Sequence, residues 1–179
     1  QSDGCSDNDT SMINSILKLE AVSYRYPDGT RALDNCSLTI HRGTRTVVLG
    51  ANGAGKTTMF LHLNGILRPS AGQVCREGLP LDYSRSGLRK LRSKVGLVFQ
   101  NPDSQLFSAS VREDVSFGPM NLGLEEALVR QRVEDALSAV GMSESADKPV
   151  HNLSYGQKKR VCIAGVLVMQ PEIVVLDEP

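Results

Sequence analysis

Gly50-Ala51-Asn52-Gly53-Ala54-Gly55-Lys56-Thr57, with Thr46-Val47-Val48-Leu49 before it and Thr58-Met59-Phe60-Leu61-His62-Leu63 after it, sets the architecture of this chain. The Gly-x-x-x-x-Gly-Lys-Thr spacing is that of a phosphate-binding loop between a strand and a helix. The glycines let backbone N–H groups close on a polyphosphate, and the positive end of the following helix faces the same point. Lys56 carries a point charge toward the β- and γ-phosphates, and the Thr57 hydroxyl can ligate Mg²⁺. Residues 46–49 are therefore expected as a buried strand and residues 58–63 as a helix. A nucleoside triphosphate is the expected ligand of Gly50, Ala51, Asn52, Gly53, Ala54, Gly55, Lys56, Thr57 and Thr58.

Upstream of the loop, residues 16–26 are strand formers, Tyr26-Pro27-Asp28-Gly29 makes a turn, and residues 32–40 form a second strand. Residues 1–15 are expected as a disordered lead-in: the first eleven are polar and lack the apolar stretch of a signal peptide. Downstream, the loop helix ends near Gly65, with Arg68-Pro69-Ser70 as breaker. Residues 72–76 then read as a short strand, 87–93 as a short basic helix and 95–99 as a buried strand. Residues 124–140 place Val129, Val133, Ala136, Leu137 and Val140 on one face of a helix. A second helix runs from Ser154 to about Met169, and Ile173-Val174-Val175-Leu176 suits a central parallel strand. β and α thus alternate around one sheet with a helical block between Gln100 and Pro171, an α/β fold.

With 20 Lys+Arg against 20 Asp+Glu, the chain has no global positive field to hold a nucleic acid. Its longest apolar stretch, residues 161–169, falls short of the ~20 residues a membrane span needs. Cys5, Cys36, Cys75 and Cys162 form no C-x-x-C pair and have no histidine at metal-ligand spacing, so they read as reduced thiols. His41, His62 and His151 are scattered and read as structural or surface residues.

Two further elements carry chemistry. Val174-Val175-Leu176-Asp177-Glu178 is an apolar strand that delivers two carboxylates at its end, one for a metal and one beside an attacking water. Alone, such a run is equally a solvated strand terminus. Behind a phosphate loop it makes Asp177 the Mg²⁺ partner and Glu178 the candidate general base. Leu153-Ser154-Tyr155-Gly156-Gln157-Lys158-Lys159-Arg160 opens a helix with Ser154 as N-cap, a second anion-binding helix start. The basic triplet at its end reads as a solvated helix face, since no wider basic surface accompanies it.

Leu-Ser-Tyr-Gly-Gln followed by Lys-Lys-Arg resembles the signature sequence of ATP-binding cassette (ABC) ATPases, and the order phosphate loop, Gln100, signature, Asp177-Glu178 is that family's order. The resemblance implies a P-loop NTPase with a RecA-like core, an N-terminal antiparallel β subdomain and an inserted helical signature subdomain at about 101–170, all within an ATPase domain of residues 16–179. It implies that Tyr26 stacks on adenine, that Gln100 touches Mg²⁺ and the attacking water, and that Ser154, Tyr155, Gly156 and Gln157 face the nucleotide held by an opposite subunit. Tyr155 is a departure, because the wider family has glycine there.

Asn101-Pro102-Asp103-Ser104-Gln105-Leu106-Phe107 and Val111-Arg112-Glu113-Asp114-Val115-Ser116-Phe117-Gly118-Pro119 are similar to the ATPases of energy-coupling-factor importers, the cobalt-type branch. That likeness implies ATP and Mg²⁺ as cofactors, a second ABC ATPase subunit and a transmembrane coupling subunit as partners, and a place on the cytoplasmic face of the membrane. The cargo it implies is cobalt, another transition metal or a vitamin. The family continues past the second carboxylate to a histidine on the γ-phosphate, so this chain is expected to be C-terminally truncated and by itself inactive. Two other readings stay open: a soluble cassette ATPase acting on nucleic acid or ribosomes, and a nucleotide-binding module without turnover. Against the first, neither heptads nor a second phosphate loop occurs.

Overall fold

The computed structural model describes residues 14–178, so the lead-in expected at 1–15 lies almost wholly outside the described residues. The chain divides into two units, one up to Arg89 and one from Lys90 onward.

In the first unit, strand β1 (Ser15–Arg25) lies between β2 (Arg31–His41) and β3 (Ala71–Arg76), and a short β4 (Leu79–Pro80) pairs with β3; all the pairings are antiparallel. Burial explains the central place of β1: Leu17, Leu19 and Val22 are wholly buried, while Lys18 and Glu20 point to the other face and pair at 2.8 Å. The β1–β2 turn closes through Gly29 N–H to Tyr26 O and Thr30 N–H to Asp28 Oδ1, both at 2.9 Å. Helix α1 (Lys56–Leu63) follows the phosphate loop and ends where Asn64 caps it and Gly65 turns left-handed at φ 67°.

One expectation fails here. Residues 46–49 form no strand, and Val47 and Leu49 are 79% and 88% exposed. A β-branched run becomes a buried parallel strand only when ladder partners and covered faces are supplied by other segments. Among the described residues no sheet includes it.

Helix α2 (Arg85–Arg92), strongly basic with Leu91 buried, carries the chain across the division. In the second unit, β5 (Val95–Val98) and β6 (Ile173–Leu176) pair in parallel, in the register Val95 to Ile173 through Val98 to Leu176. Between them come α3 (Val111–Asn121), α4 (Glu126–Ala139) and α5 (Tyr155–Leu167). Val111, Val115, Val129, Val133, Leu137 and Val161 form their common core. Helix α4 buries Val129, Val133, Ala136 and Leu137 of the face expected from its periodicity, whereas Val140 lies beyond its end as the half-buried C-cap. Helix α3 was not expected as a separate element, because Gly118 and Pro119 obscure its pattern; Ser110, whose hydroxyl caps Glu113 N–H, was the signal available. Among the described residues no helix is long and apolar enough to cross a membrane.

Candidate functional site

In the first unit the phosphate loop takes its form from Gly55, which caps α1 in the left-handed region at φ 88°. A Cβ there would stand 2.4 Å from Ala32 O, so the loop passes directly over β2. Lys56 Nζ curls back to donate to Gly50 O at 2.7 Å and Ala51 O at 3.0 Å, which closes the loop on itself. Gly55, as N-cap, offers no side-chain cap to α1, so at that position the helix start is presented by backbone. Thr57 is exposed, whereas Thr58 is buried and shares a 2.9 Å hydrogen bond with the Tyr26 hydroxyl.

That bond ties the expected adenine-stacking aromatic to the helix that carries the phosphate loop. Behind it, Tyr24 packs edge-on against both Tyr26 (ring centroids 5.1 Å apart) and His62 (4.9 Å). His62 is fully buried, and its Nδ1 lies 2.7 Å from Thr58 O. A carbonyl can only accept, so Nδ1 carries the proton; Nε2 meets no hydrogen-bond partner among the described residues. Burial pushes the His62 pKa down, against the smaller upward effect of the Thr58 carbonyl, so the ring is neutral at pH 7. The scattered position of His62 in the sequence gave no sign of this aromatic cluster.

The second unit brings together Gln100, the start of α5 and the end of β6. Gln100 follows β5 and donates from Nε2 to Glu178 Oε2 at 2.5 Å. Asp177, at the end of β6, is 3% exposed, and its N–H donates to Val98 O at 3.0 Å. Glu178 is exposed and in the left-handed region at φ 48°, and Lys159 Nζ donates to its backbone carbonyl at 2.6 Å.

Ser154 is the N-cap of α5, as expected, and its hydroxyl accepts from Gln157 N–H at 3.3 Å while Gln157 Oε1 accepts from Ser154 N–H at 2.9 Å. This reciprocal capping box fixes both side chains at the helix start. Gly156 is exposed, and a Cβ on it would meet nothing within 4 Å. Its lack of a side chain therefore serves no packing within the described residues. Tyr155 is 59% exposed, and its hydroxyl donates to Gln100 O at 3.1 Å.

The basic triplet departs from the expected solvated face. Lys158 pairs with Asp103 at 2.7 Å, Lys159 holds Glu178 O, and Arg160 reaches Val140 O and Gly141 O at 3.4 and 3.3 Å. Lys158 and Asp103 stand 55 positions apart, so no local pattern could reveal the pair. Phe107 and Phe117 pack edge-on at 4.7 Å, yet remain 65% and 49% exposed, with Met120 at 63%. Asp114 accepts from both Phe107 N–H and Ser108 N–H, at 2.9 and 2.8 Å, and so pins the loop that presents Phe107.

Comparisons with known proteins agree with one another. The family model described as ABC transporter matches residues 33–179. The chain is 58% identical over 164 residues to an energy-coupling factor transporter ATP-binding protein, EcfA, of Methanothermobacter thermautotrophicus, covering 92% of this chain and 53% of that protein. It is 55% identical over 164 residues to a corresponding protein of Clostridium perfringens, EcfA3, covering 92% of this chain and 58% of that protein. A solved structure of CbiO1 from Clostridium perfringens, described as part of the ABC transporter complex CbiONQ, matches with a TM-score of 0.81 and 54% identity, over 93% of this chain and 66% of that one. The chain thus spans little more than half the length of these curated relatives.

Proposed function

The chain belongs to the ABC transporter family, and on that premise we propose that it is the ATP-binding and ATP-hydrolysing part of a membrane importer's motor subunit. The fold class is α/β, of the P-loop NTPase type seen in its structural relative. In this reading residues 16–179 belong to one ATPase domain, with its helical subdomain at about 101–170. Gly50 to Thr57 cradle the triphosphate, Thr58 holds Tyr26 for the adenine, and Glu178 is the general base for in-line attack by water on the γ-phosphate.

The observation that carries the reading is the Gln100–Glu178 hydrogen bond, which holds the candidate base by a residue that follows the neighbouring strand. It orients one carboxylate oxygen, and the other is left to take a proton from water.

Thr57, Gln100 and Asp177 are assigned to Mg²⁺. Their hydroxyl, amide carbonyl and carboxylate are the all-oxygen set a hard cation takes, and because the Gln100 nitrogen is turned to Glu178, Oε1 is the atom it would offer. When bound, Mg²⁺ would neutralise charge on the β- and γ-phosphates. Ser154, Tyr155, Gly156 and Gln157 are assigned to the nucleotide of a second ATPase subunit. The bare, unpacked Gly156 supports this, since it leaves the helix start open to a ligand from outside the chain.

The exposed Phe107–Phe117 pair, with Met120, is assigned as the face offered to a transmembrane coupling subunit, and the protein is assigned to the cytoplasmic side of the membrane as a peripheral component; the exposed aromatic surface supports the first assignment. The cargo is assigned as cobalt, another transition metal ion or a vitamin, on the likeness to the energy-coupling-factor and CbiO proteins.

The test is steady-state phosphate release by the full-length protein with its membrane partners. Glu178→Gln should abolish turnover and keep Mg-ATP binding, while Lys56→Ala should weaken binding at least about tenfold. Unchanged turnover in Glu178→Gln, or unchanged affinity in Lys56→Ala, would refute the assignment.

A further inference from the structure

The first turns of α5 are tied to the segment after β5 by contacts that nucleotide chemistry does not require. Tyr155 Oη donates to Gln100 O at 3.1 Å, Lys158 Nζ pairs with Asp103 Oδ1 at 2.7 Å, and Cys162 Sγ lies 3.9 Å from Pro102 O. Residues 155, 158 and 162 follow the spacing of one helix face, and their partners are near-consecutive. The partner segment is itself closed: Asn101 Oδ1 accepts from Asp103 N–H and Gln105 Oε1 from Phe99 N–H, both at 3.0 Å. Gln100 extends from this clamped backbone to Glu178.

We propose that Tyr155, backed by the Lys158–Asp103 ion pair, is a positioning residue that locks the Gln100 backbone to the signature helix, so that Gln100 and Glu178 respond together to what docks on the signature segment. The proposal rests on the assignment of Gln100 and Glu178 given above. The hydroxyl holds the Gln100 carbonyl and with it the peptide plane that sets the direction of the Gln100 side chain. Without that donor the side chain samples other rotamers, and Glu178 loses its orienting partner for part of the time. The ring is largely exposed, so the hydroxyl's bond serves no core packing. Glycine in its place could make no such bond. A nucleotide carried by a second subunit onto Ser154–Gln157 would thereby be felt at the general base of the subunit that owns the signature.

Tyr155→Phe keeps the ring and removes the donor. In the full-length protein it should lower kcat for ATP about fivefold, the worth of one net hydrogen bond, with KM within about twofold of wild type and an unchanged melting temperature. Introduced into Gln100→Ala, it should cost nothing further, because it acts only through Gln100. Amide exchange of residues 99–105 in the nucleotide-free protein should be faster in Tyr155→Phe and in Lys158→Gln, a readout independent of turnover. Unchanged exchange in both variants overturns the proposal. So do an unchanged kcat in an active protein, an additive loss in the Gln100→Ala background, and a parallel fall in nucleotide affinity and melting temperature that marks a folding defect. A wild-type protein that shows no turnover would refute the functional assignment instead, and exchange alone would then decide the positioning contact.

Discussion

Replacing Gly55 by Ala tests the phosphate loop where its geometry is most demanding. The left-handed conformation at φ 88° costs an L-residue about 1–2 kcal/mol. The added Cβ would also lie 2.4 Å from Ala32 O and 3.2 Å from Leu33 Cδ2. Ala32 sits in β2, whose ladder to β1 pairs Leu33 with Tyr24, so its carbonyl cannot swing aside as a side chain could. Forcing the two apart costs about a further 1–3 kcal/mol. Gly53→Ala is the matched control: its φ of 80° carries the same conformational strain, but the new methyl meets nothing within 4 Å. Urea unfolding of the full-length protein, followed by far-UV circular dichroism, should therefore find Gly55→Ala about 1–3 kcal/mol less stable than Gly53→Ala, with equal m-values. Mg-ATP titration should find the larger loss of affinity in Gly55→Ala, because α1 must move away from β2. Equal stabilities of the two variants would show that the loop does not pass over Ala32 and would refute the packing on which the site is built.

Three other perturbations probe different links. Phe107→Ala combined with Phe117→Ala should lower co-purification with the membrane subunit at least about tenfold and leave nucleotide affinity within about twofold, measured by pull-down and titration; full retention would remove this face as the docking surface. Burial lowers the His62 pKa, so between its folded value and the ordinary value of about 6.5 the unfolded chain binds more protons, and the His62 contribution to stability falls as pH falls. The stability gap between wild type and His62→Leu should accordingly shift in favour of the variant as the pH is lowered from about 7 to about 5, and parallel profiles would contradict a buried neutral imidazole. Burial, with Asp114 next in effect, pushes the Cys162 thiol up to about 12, so iodoacetamide at a pH of about 8 should label the partly exposed Cys36 and spare Cys162 until the protein unfolds, as read by peptide mass mapping.

Local patterns in the sequence were enough wherever a residue's role depends on near neighbours. The hairpin came from alternation around Tyr26-Pro27-Asp28-Gly29, and α4 from a 3.6-residue period that buries Val129, Val133, Ala136 and Leu137. Ser154 as N-cap came from its place at the start of the helical pattern, and the capping box with Gln157 realises it within four residues. The resemblance to ABC ATPases and their energy-coupling-factor branch likewise rests on short motifs in a fixed order, and the family comparison bears it out. Local pattern misled at residues 46–49, because burial of a strand depends on what other segments offer it.

By itself the sequence determined the family, the helix cap and most of the elements, since each is written in short-range spacing and in steric preferences that neighbouring residues impose. Only the tertiary structure decided that Lys158 pairs with Asp103, that Lys159 holds the Glu178 carbonyl, that Tyr26 bonds to Thr58 and that the Tyr155 hydroxyl falls on Gln100. These partners lie 19 to 55 residues apart, and hydrogen bonds reach only about 3 Å. Which donor meets which acceptor is therefore set by how helix and strand pack, a choice made by buried residues such as Val98 and Val161 that take no part in the chemistry themselves.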